Sequence, residues 1–147
     1  MPVNIILEPR SDKPYSNKIH RYVMYSSRVS CGFPSPADDF SEETLNLSEY
    51  LIKHPSSTFF ARAEGESMHG AGISDGDLLV VDRAQPYVQG AIAIVSVCGE
   101  LTCKKLDLKQ QRLLAANSSF PPIPITEDLD TIIEGIVIWV VKNTMQV

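Results

Sequence analysis

Residues 58–68 read Thr-Phe-Phe-Ala-Arg-Ala-Glu-Gly-Glu-Ser-Met, a run typical of a strand followed by a tight turn. β-branched and aromatic residues favour a strand over 58–63, and Gly65 lets the backbone turn sharply enough to present the next side chains at a surface. Ser67 is then a hydroxyl that a peptide could reach, and it is the candidate nucleophile. On these residues alone, Gly-x-Ser is more often part of an ordinary loop than of an active site, because motifs this short often occur by chance.

A serine hydroxyl attacks a carbonyl only when a neighbouring base takes its proton. Such a base can be sought in a predicted hairpin, where the strand-like run 91–97 is followed by Cys98-Gly99-Glu100 and then by Leu101-Thr102-Cys103-Lys104-Lys105-Leu106. Alternation along this second run puts Lys104 on one face with Thr102, Leu106 and Leu108. It puts Lys105 on the other face with Leu101, Cys103 and Asp107.

Lys104 is the better candidate for the base. An amine among apolar neighbours loses the hydration of its charged form, so the neutral, proton-accepting form becomes available. A carboxylate beside Lys105 would favour the charged ammonium instead. The commoner alternative for any single lysine is a solvated strand position.

Two further groups are weaker candidates. His69 follows Ser67 closely enough to be considered as its base, yet two neighbours in one turn rarely point at the same proton, so a surface histidine is the better interpretation. Asp75 and Asp77 suggest a carboxylate pair or a cation site, but the glycine between them favours a turn.

Three motifs in order carry a resemblance to a known family. They are Gly65-Glu66-Ser67-Met68, the run Gly-Ile-Ser-Asp-Gly-Asp-Leu-Leu-Val-Val-Asp over 72–82, and the run over 101–106. Together they resemble the LexA-type Ser-Lys self-cleaving peptidase family, and most closely its UmuD/MucA-like SOS mutagenesis proteins, from about residue 31 to residue 142.

The resemblance implies a role for individual residues. Ser67 would be the nucleophile and Lys104, the first of the Lys-Lys pair, its base, which is a recognised variant of the activated serine. Backbone N–H groups near Glu66 and Ser67 would stabilise the oxyanion. The bond between Cys31 and Gly32 would be the one cut.

The residues around that bond suit a scissile segment. Two prolines in Ser30-Cys31-Gly32-Phe33-Pro34-Ser35-Pro36 disfavour a helix and bias their predecessors toward extended geometry, so the segment could lie in a cleft as a strand. Cys31 is small, and Gly32 has no Cβ to crowd an attacking serine. Without the resemblance, a plain linker is the simpler interpretation.

The resemblance also implies partners and a setting. DNA damage would load RecA on single-stranded DNA, and that filament would stimulate cleavage as a co-protease without supplying a catalytic residue. The truncated homodimer would then join a UmuC-type Y-family polymerase for translesion synthesis. We expect no cofactor.

The predicted fold class is mostly β, a curled LexA/UmuD-like sheet domain with a flexible N-terminal arm. Residues 1–31 would be the arm removed by cleavage, 32–57 a linker with a short helix, and 58–147 the β-rich domain. Strands are predicted over 78–81, 91–97, 112–116 and 131–141. The Asn-Ser-Ser segment 117–119 is expected to shape the cleft wall.

Length and composition bound the alternatives. The 147 residues, 44% of them hydrophobic, suffice for one core. The absence of a signal-peptide pattern or a long apolar run leads us to expect a soluble, cytoplasmic protein. Cys31, Cys98 and Cys103 are odd in number and have no histidine at zinc-like spacing, which argues against a disulfide framework and a metal site.

Charge is divided unevenly along the chain. Residues 1–31 hold five basic and two acidic groups, a net +3, so the total of −5 leaves −8 on the rest. An acidic body argues against broad contact with DNA phosphates, and little direct DNA contact is expected. Two alternatives stay open: a polymerase-regulating binding module without proteolysis, and a repressor, which the missing DNA-binding domain disfavours.

Overall fold

The computed structural model of the protein describes residues 3–5, 19–34 and 41–145, with the backbone alone for residues 3–5. The described residues divide into two compact units. Residues 3–5 and 54–145 form the larger unit, and residues 19–34 and 41–53 form the smaller one. The sequence-based domain boundary after residue 31 lies at the predicted cleavage site and not at a boundary between packed units. It stays a prediction.

Strands dominate the larger unit, and the smaller unit contains two short ones. The strands are β1 (Val3–Ile5), β2 (Tyr22–Tyr25), β3 (Glu42–Leu45), β4 (Thr58–Ala63), β5 (Leu78–Asp82), β6 (Ile92–Val97), β7 (Glu100–Asp107), β8 (Arg112–Leu114), β9 (Ile123–Pro124) and β10 (Thr131–Val141). The larger unit contains one antiparallel sheet in the order β1-β4-β5-β10-β6-β7-β8-β9. The predicted mostly-β class is confirmed.

β10 gives the sheet its curl. This strand lies between β5 and β6, and its register shifts once against each of them, between Val137 and Trp139 and between Ile133 and Gly135. Each bulge bends a strand and increases its twist. At Gly135 an added Cβ would lie 2.7 Å from Val81 Cγ1, so a glycine is required there for close packing. The curled sheet predicted from the sequence is therefore present, with its bends in the predicted strand 131–141.

The period-2 pattern of the strands divides the core into two clusters. In β6, Ile94 packs into one cluster, while Ala93 and Val95 pack into the other. The first cluster also takes in Met68, which follows Ser67 in the chain and is fully buried. Burial of such a side chain contributes about 1.5–3 kcal/mol, so the core holds the turn in which Ser67 lies.

Two details of the predicted hairpin are wrong. Leu108 does not share the face of Lys104, because β7 ends at Asp107 and Leu108 is exposed. Asp107 does not pair with Lys105; its carboxylate accepts a hydrogen bond from Arg112 Nε at 2.8 Å. The bonds from Arg112 and from Gln89 hold the pKa of Asp107 below its usual range. In addition, β8 stops at Leu114, so the predicted strand over 112–116 is two residues too long.

The smaller unit contains a two-stranded ladder and a short helix. β2 and β3 pair antiparallel, with Tyr22 opposite Leu45 and Tyr25 opposite Glu42. Helix α1 (Leu47–Leu51) follows, within the segment for which a short helix is predicted, and Asn46 caps it by accepting from the Glu49 N–H at 3.2 Å. None of the helices in the described residues has the length and apolar character to cross a membrane.

Candidate active site

Ser67 lies in a turn that is held at both ends. The turn begins where β4 ends, and Gly65 adopts a φ of +88°, a left-handed conformation that glycine accommodates without strain. The Gly65 N–H donates a hydrogen bond to Asp75 Oδ1 at 2.9 Å. After Met68, a single 3-10 turn at His69–Ala71 closes the segment. The position of Ser67 is therefore set by core packing and by the hydrogen bond that Gly65 donates to the next loop.

Lys104 reaches this turn from β7. Its Nζ lies 3.3 Å from Ser67 Oγ, within hydrogen-bond reach. The residue is only 5% exposed, whereas Lys105 points to solvent. The structure thus brings together Ser67 and the lysine that strand alternation favours.

The surroundings of Lys104 are apolar on one side. The ring of Phe120 lies 5.7 Å from Nζ, at cation–π distance. A positive charge at Nζ would face the electron-rich surface of this ring.

Residues 116–120 are tied to the Ser67 turn by two hydrogen bonds. The Gly70 N–H donates to the Ala116 carbonyl at 2.7 Å, and Asn117 Nδ2 donates to the Glu66 carbonyl at 3.1 Å. Asn117 Oδ1 in turn accepts from the Ser119 N–H at 3.0 Å. The sequence indicated only a cleft wall here; the link from Asn117 to Glu66 has no local signal, because the two residues are far apart in the chain.

The contact between Asn117 and Glu66 also fixes the direction of a backbone donor. The Glu66 carbonyl and the Ser67 N–H belong to one planar trans peptide, so they point in opposite directions. Holding the carbonyl toward Asn117 therefore fixes the opposite direction for the Ser67 N–H. This is one of the two groups predicted to stabilise the oxyanion.

Ser67 is not at the surface, contrary to the sequence-based expectation. It is 1% exposed. Glu66 and His69 on either side are exposed, so the turn itself is at the surface, but Ser67 and Met68 within it are buried. The hydroxyl must therefore become accessible before a peptide can reach it.

His69 is placed away from the serine. Its side chain is 71% exposed, and its Nδ1 lies 3.5 Å from Glu66 Oε2. Asp75 and Asp77 flank a turn at Gly76, which has a φ of +87°. Asp75 accepts from the Gly65 N–H and Asp77 pairs with Lys142, so each carboxylate already has a structural partner.

Cys31 and Gly32 lie in the smaller unit, and both are exposed. Their segment is a bend rather than the extended strand expected from the sequence. Ser30 closes the bend, because its hydroxyl donates to the Phe33 carbonyl and accepts from the Gly32 N–H. An added Cβ on Gly32 would meet nothing within 4 Å, so the backbone around the bond is open.

A second serine lies near a histidine and an aspartate, but the arrangement is structural. Ser57 Oγ donates to Asp82 Oδ1 at 2.9 Å, and His54 Nδ1 lies 2.6 Å from Asp82 Oδ2. Both groups bond the same carboxylate, whereas a catalytic triad needs the imidazole between serine and aspartate. Burial raises the pKa of Asp82, but bonds from His54, the Ala84 N–H, Gln85 and Ser57 outweigh it and hold that pKa well below its usual range.

Comparison with known proteins gives the family. The chain matches the Peptidase S24-like family over residues 23–138. It is 39% identical to Protein ImpA of Salmonella typhimurium over 139 residues, which cover 95% of this chain and 92% of ImpA. It is 40% identical to Protein MucA of Escherichia coli over 118 residues, covering 80% of this chain and 81% of MucA. Identity to LexA repressor 1 of Pseudomonas syringae pv. tomato is 34% over 119 residues, covering 79% of this chain and 58% of the repressor. The chain therefore belongs to the Peptidase S24-like family, as a UmuD/MucA-like protein of the LexA type.

Proposed function

We propose that this protein is a Ser-Lys peptidase that hydrolyses its own backbone between Cys31 and Gly32. The observation that carries the proposal is the 3.3 Å approach of Lys104 Nζ to Ser67 Oγ in a buried site. Both side chains come from elements that the core fixes, and the distance is short enough for direct proton transfer.

The reaction follows from this pair. Neutral Lys104 takes the proton of Ser67, and Oγ attacks the carbonyl carbon of Cys31. The backbone N–H groups of Glu66 and Ser67 bind the resulting oxyanion. As the C–N bond breaks, the ammonium of Lys104 returns its proton to the amine of Gly32. Water then hydrolyses the ester between Cys31 and Ser67, which leaves a carboxylate on residue 31.

The environment of Lys104 supports this cycle of protonation. Lys104 is buried, and the face of the Phe120 ring stabilises the ammonium that forms during attack. Cation–π contacts contribute about 0.5–2 kcal/mol, depending on desolvation. Among the residues that the structure describes, no carboxylate forms an ion pair with Lys104, so a charge formed there during attack would face the ring.

The choice of the Cys31–Gly32 bond rests on the resemblance and on its exposure. To enter the site, the bend closed by Ser30 must open into an extended strand, and burial of Ser67 must be relieved. Both changes slow the spontaneous reaction. A partner that favours the open conformation would therefore accelerate cleavage without supplying a catalytic group.

We propose the setting from the UmuD/MucA-like relationship. The protein acts in the bacterial cytoplasm in the SOS response, and a RecA filament on single-stranded DNA is the partner that stimulates cleavage. The cleaved homodimer then serves as accessory subunit of a UmuC-type Y-family polymerase in translesion synthesis. The acidic body is consistent with little direct contact with DNA.

Incubation at alkaline pH followed by intact-mass analysis tests the chemistry. Fragments ending at residue 31 and beginning at residue 32 are expected, and Ser67→Ala and Lys104→Ala should each abolish them. The double variant should be hardly worse than either single one, because the two residues act as a unit. Lys105→Ala is the matched control and should cleave normally. Cleavage that persists in Ser67→Ala would remove the assignment.

The pH profile distinguishes the two possible bases. A lysine acts as a base only as it loses its proton, so the rate should continue to rise well above neutrality. An imidazole with the reference pKa of about 6.5 would level off near pH 7.5. Such a plateau, or loss of activity in His69→Ala with Lys104→Ala still active, would reverse the choice. A chain that stays intact even with RecA filaments would instead favour the non-proteolytic, polymerase-regulating module.

A further inference from the structure

The first strand of the chain covers one edge of the main sheet. β1 pairs antiparallel with β4, so that residue 3 lies opposite Ala63, residue 4 opposite Arg62 and residue 5 opposite Ala61. β4 pairs with β5 along its other side. β1 also lies against β7. An extended segment from the N-terminal part of the chain therefore occupies the outer edge of β4, defined here as the edge at Ala61–Ala63.

This edge is next to both members of the proposed pair. β4 leads directly into the turn with Ser67, and β7 carries Lys104. An extended peptide that offers a carbonyl to Ser67 needs partners for its own backbone N–H and C=O groups. The outer edge of β4 is the sheet edge that can supply them beside the nucleophile, through the same ladder that β1 now uses.

We propose that the outer edge of β4 is a binding site for an extended peptide strand, that β1 is its resident ligand, and that the scissile segment around Cys31 competes with β1 for it. The proposal rests on the self-cleavage proposed above. Cleavage then requires that residues 3–5 leave the edge before the scissile segment enters, and the N-terminus restrains the spontaneous reaction. β1 and the scissile segment belong to the same chain, so the competition between them is intramolecular.

The kinetic test removes β1 and then returns it as a separate molecule. A variant lacking residues 2–5 should cleave roughly three- to tenfold faster at alkaline pH without RecA, the effect of losing one or two ladder hydrogen bonds. A synthetic peptide of residues 1–9 at millimolar concentration should restore the slow rate, and a scrambled peptide should not. Asn4→Pro keeps the chain length and serves as the second variant if the deletion impairs folding.

A binding test does not depend on cleavage. The deletion variant in a Ser67→Ala background should bind a fluorescent peptide of residues 1–9, and an unlabelled peptide of residues 27–37 should displace it. An unchanged or slower rate in both variants, or two peptides that do not compete, would overturn the inference. Failure of the full-length chain to cleave at all would overturn the proposed function instead, and peptide competition would still decide the identity of the binding site.

Discussion

Gly70→Ala tests whether residues 116–120 set the geometry of the nucleophile. An added Cβ at Gly70 would collide with the Ala116 carbonyl oxygen and lie 3.3 Å from its carbon. The same carbonyl accepts the Gly70 N–H at 2.7 Å, so the two backbones cannot separate without losing that bond. Gly70 has no left-handed φ, and the effect is therefore steric rather than a matter of backbone strain.

Gly70→Ala should affect both stability and cleavage rate. Overpacking lowers the free energy of unfolding by about 1–3 kcal/mol. Alanine has a smaller conformational entropy than glycine in the unfolded chain, which raises that free energy by about 0.4–1 kcal/mol. The free energy of unfolding of the variant should thus be lower by roughly 0–2.6 kcal/mol, about 1.3 kcal/mol at the middle of the range. Displacement of residues 116–120 would also shift Asn117 from the Glu66 carbonyl. A misplacement of about 1 Å can cost about a hundredfold in rate, so self-cleavage should fall roughly ten- to a hundredfold.

Gly135→Ala is the matched control. Its Cβ would lie 2.7 Å from Val81 Cγ1 in the bulge of β10, so it too should destabilise by overpacking. Thermal unfolding monitored by circular dichroism and alkaline cleavage followed by intact mass should separate the two variants. Both should lower the unfolding midpoint, and only Gly70→Ala should lose cleavage at temperatures well below it. Full-rate cleavage by Gly70→Ala would refute the role given to residues 116–120.

Three further outcomes are expected. Asn117→Ala should lower the cleavage rate about tenfold with little change in the pH profile, because it releases the Glu66 carbonyl without altering the base; a shifted profile would contradict this. Because the pKa of Asp82 is lower in the folded than in the unfolded protein, its carboxylate stabilises the fold above the unfolded pKa of about 3.9, and this stabilisation is lost as the pH falls through the folded pKa. Asp82→Asn should therefore lower the free energy of unfolding by about 1–3 kcal/mol at pH 7. In urea titrations at decreasing pH, the stability of this variant should fall less steeply than that of the wild type. An equal loss for that variant at pH 7 and at the acid limit would argue against the linkage. Burial raises the pKa of Cys103 to about 12, so iodoacetamide at pH 8 should modify Cys31 and Cys98 in the native protein and Cys103 only after unfolding, as read by mass; rapid modification of all three would show that the core opens.

The sequence predicts those features that depend on neighbours in the chain. Alternation and turn residues locate β4 and β10, and the same alternation favours Lys104 over Lys105. The turn at Gly76 follows from its two flanking aspartates. These features are encoded within a few residues, where period and turn chemistry are informative.

Other features depend on partners that are distant in the sequence. β1 is three residues long and carries no readable period, and it exists as a strand because β4 offers an edge. The turn with Ser67 is bonded to residues 116–120, and the bond from Asn117 to Glu66 joins two different loops. Asp107 forms its ion pair with Arg112 and not with Lys105, because β8 pairs with β7 and places Arg112 opposite Asp107. In each case the tertiary pairing, rather than local preference, decides the outcome.

The ladder between β2 and β3 joins residues on either side of the Cys31–Gly32 bond. Tyr22–Tyr25 precede that bond and Glu42–Leu45 follow it, so a cut there would leave a nicked molecule whose two pieces are still held by hydrogen bonds. The pairing of β1 with β4 also joins the two pieces, but both ladders are short, so the pieces would part on their own timescale and more completely on dilution. Scission and separation are then distinct events. A denaturing gel would detect scission, and gel filtration under native conditions would detect separation of the two pieces. The time between scission and separation would determine how long the nicked protein behaves like the intact one.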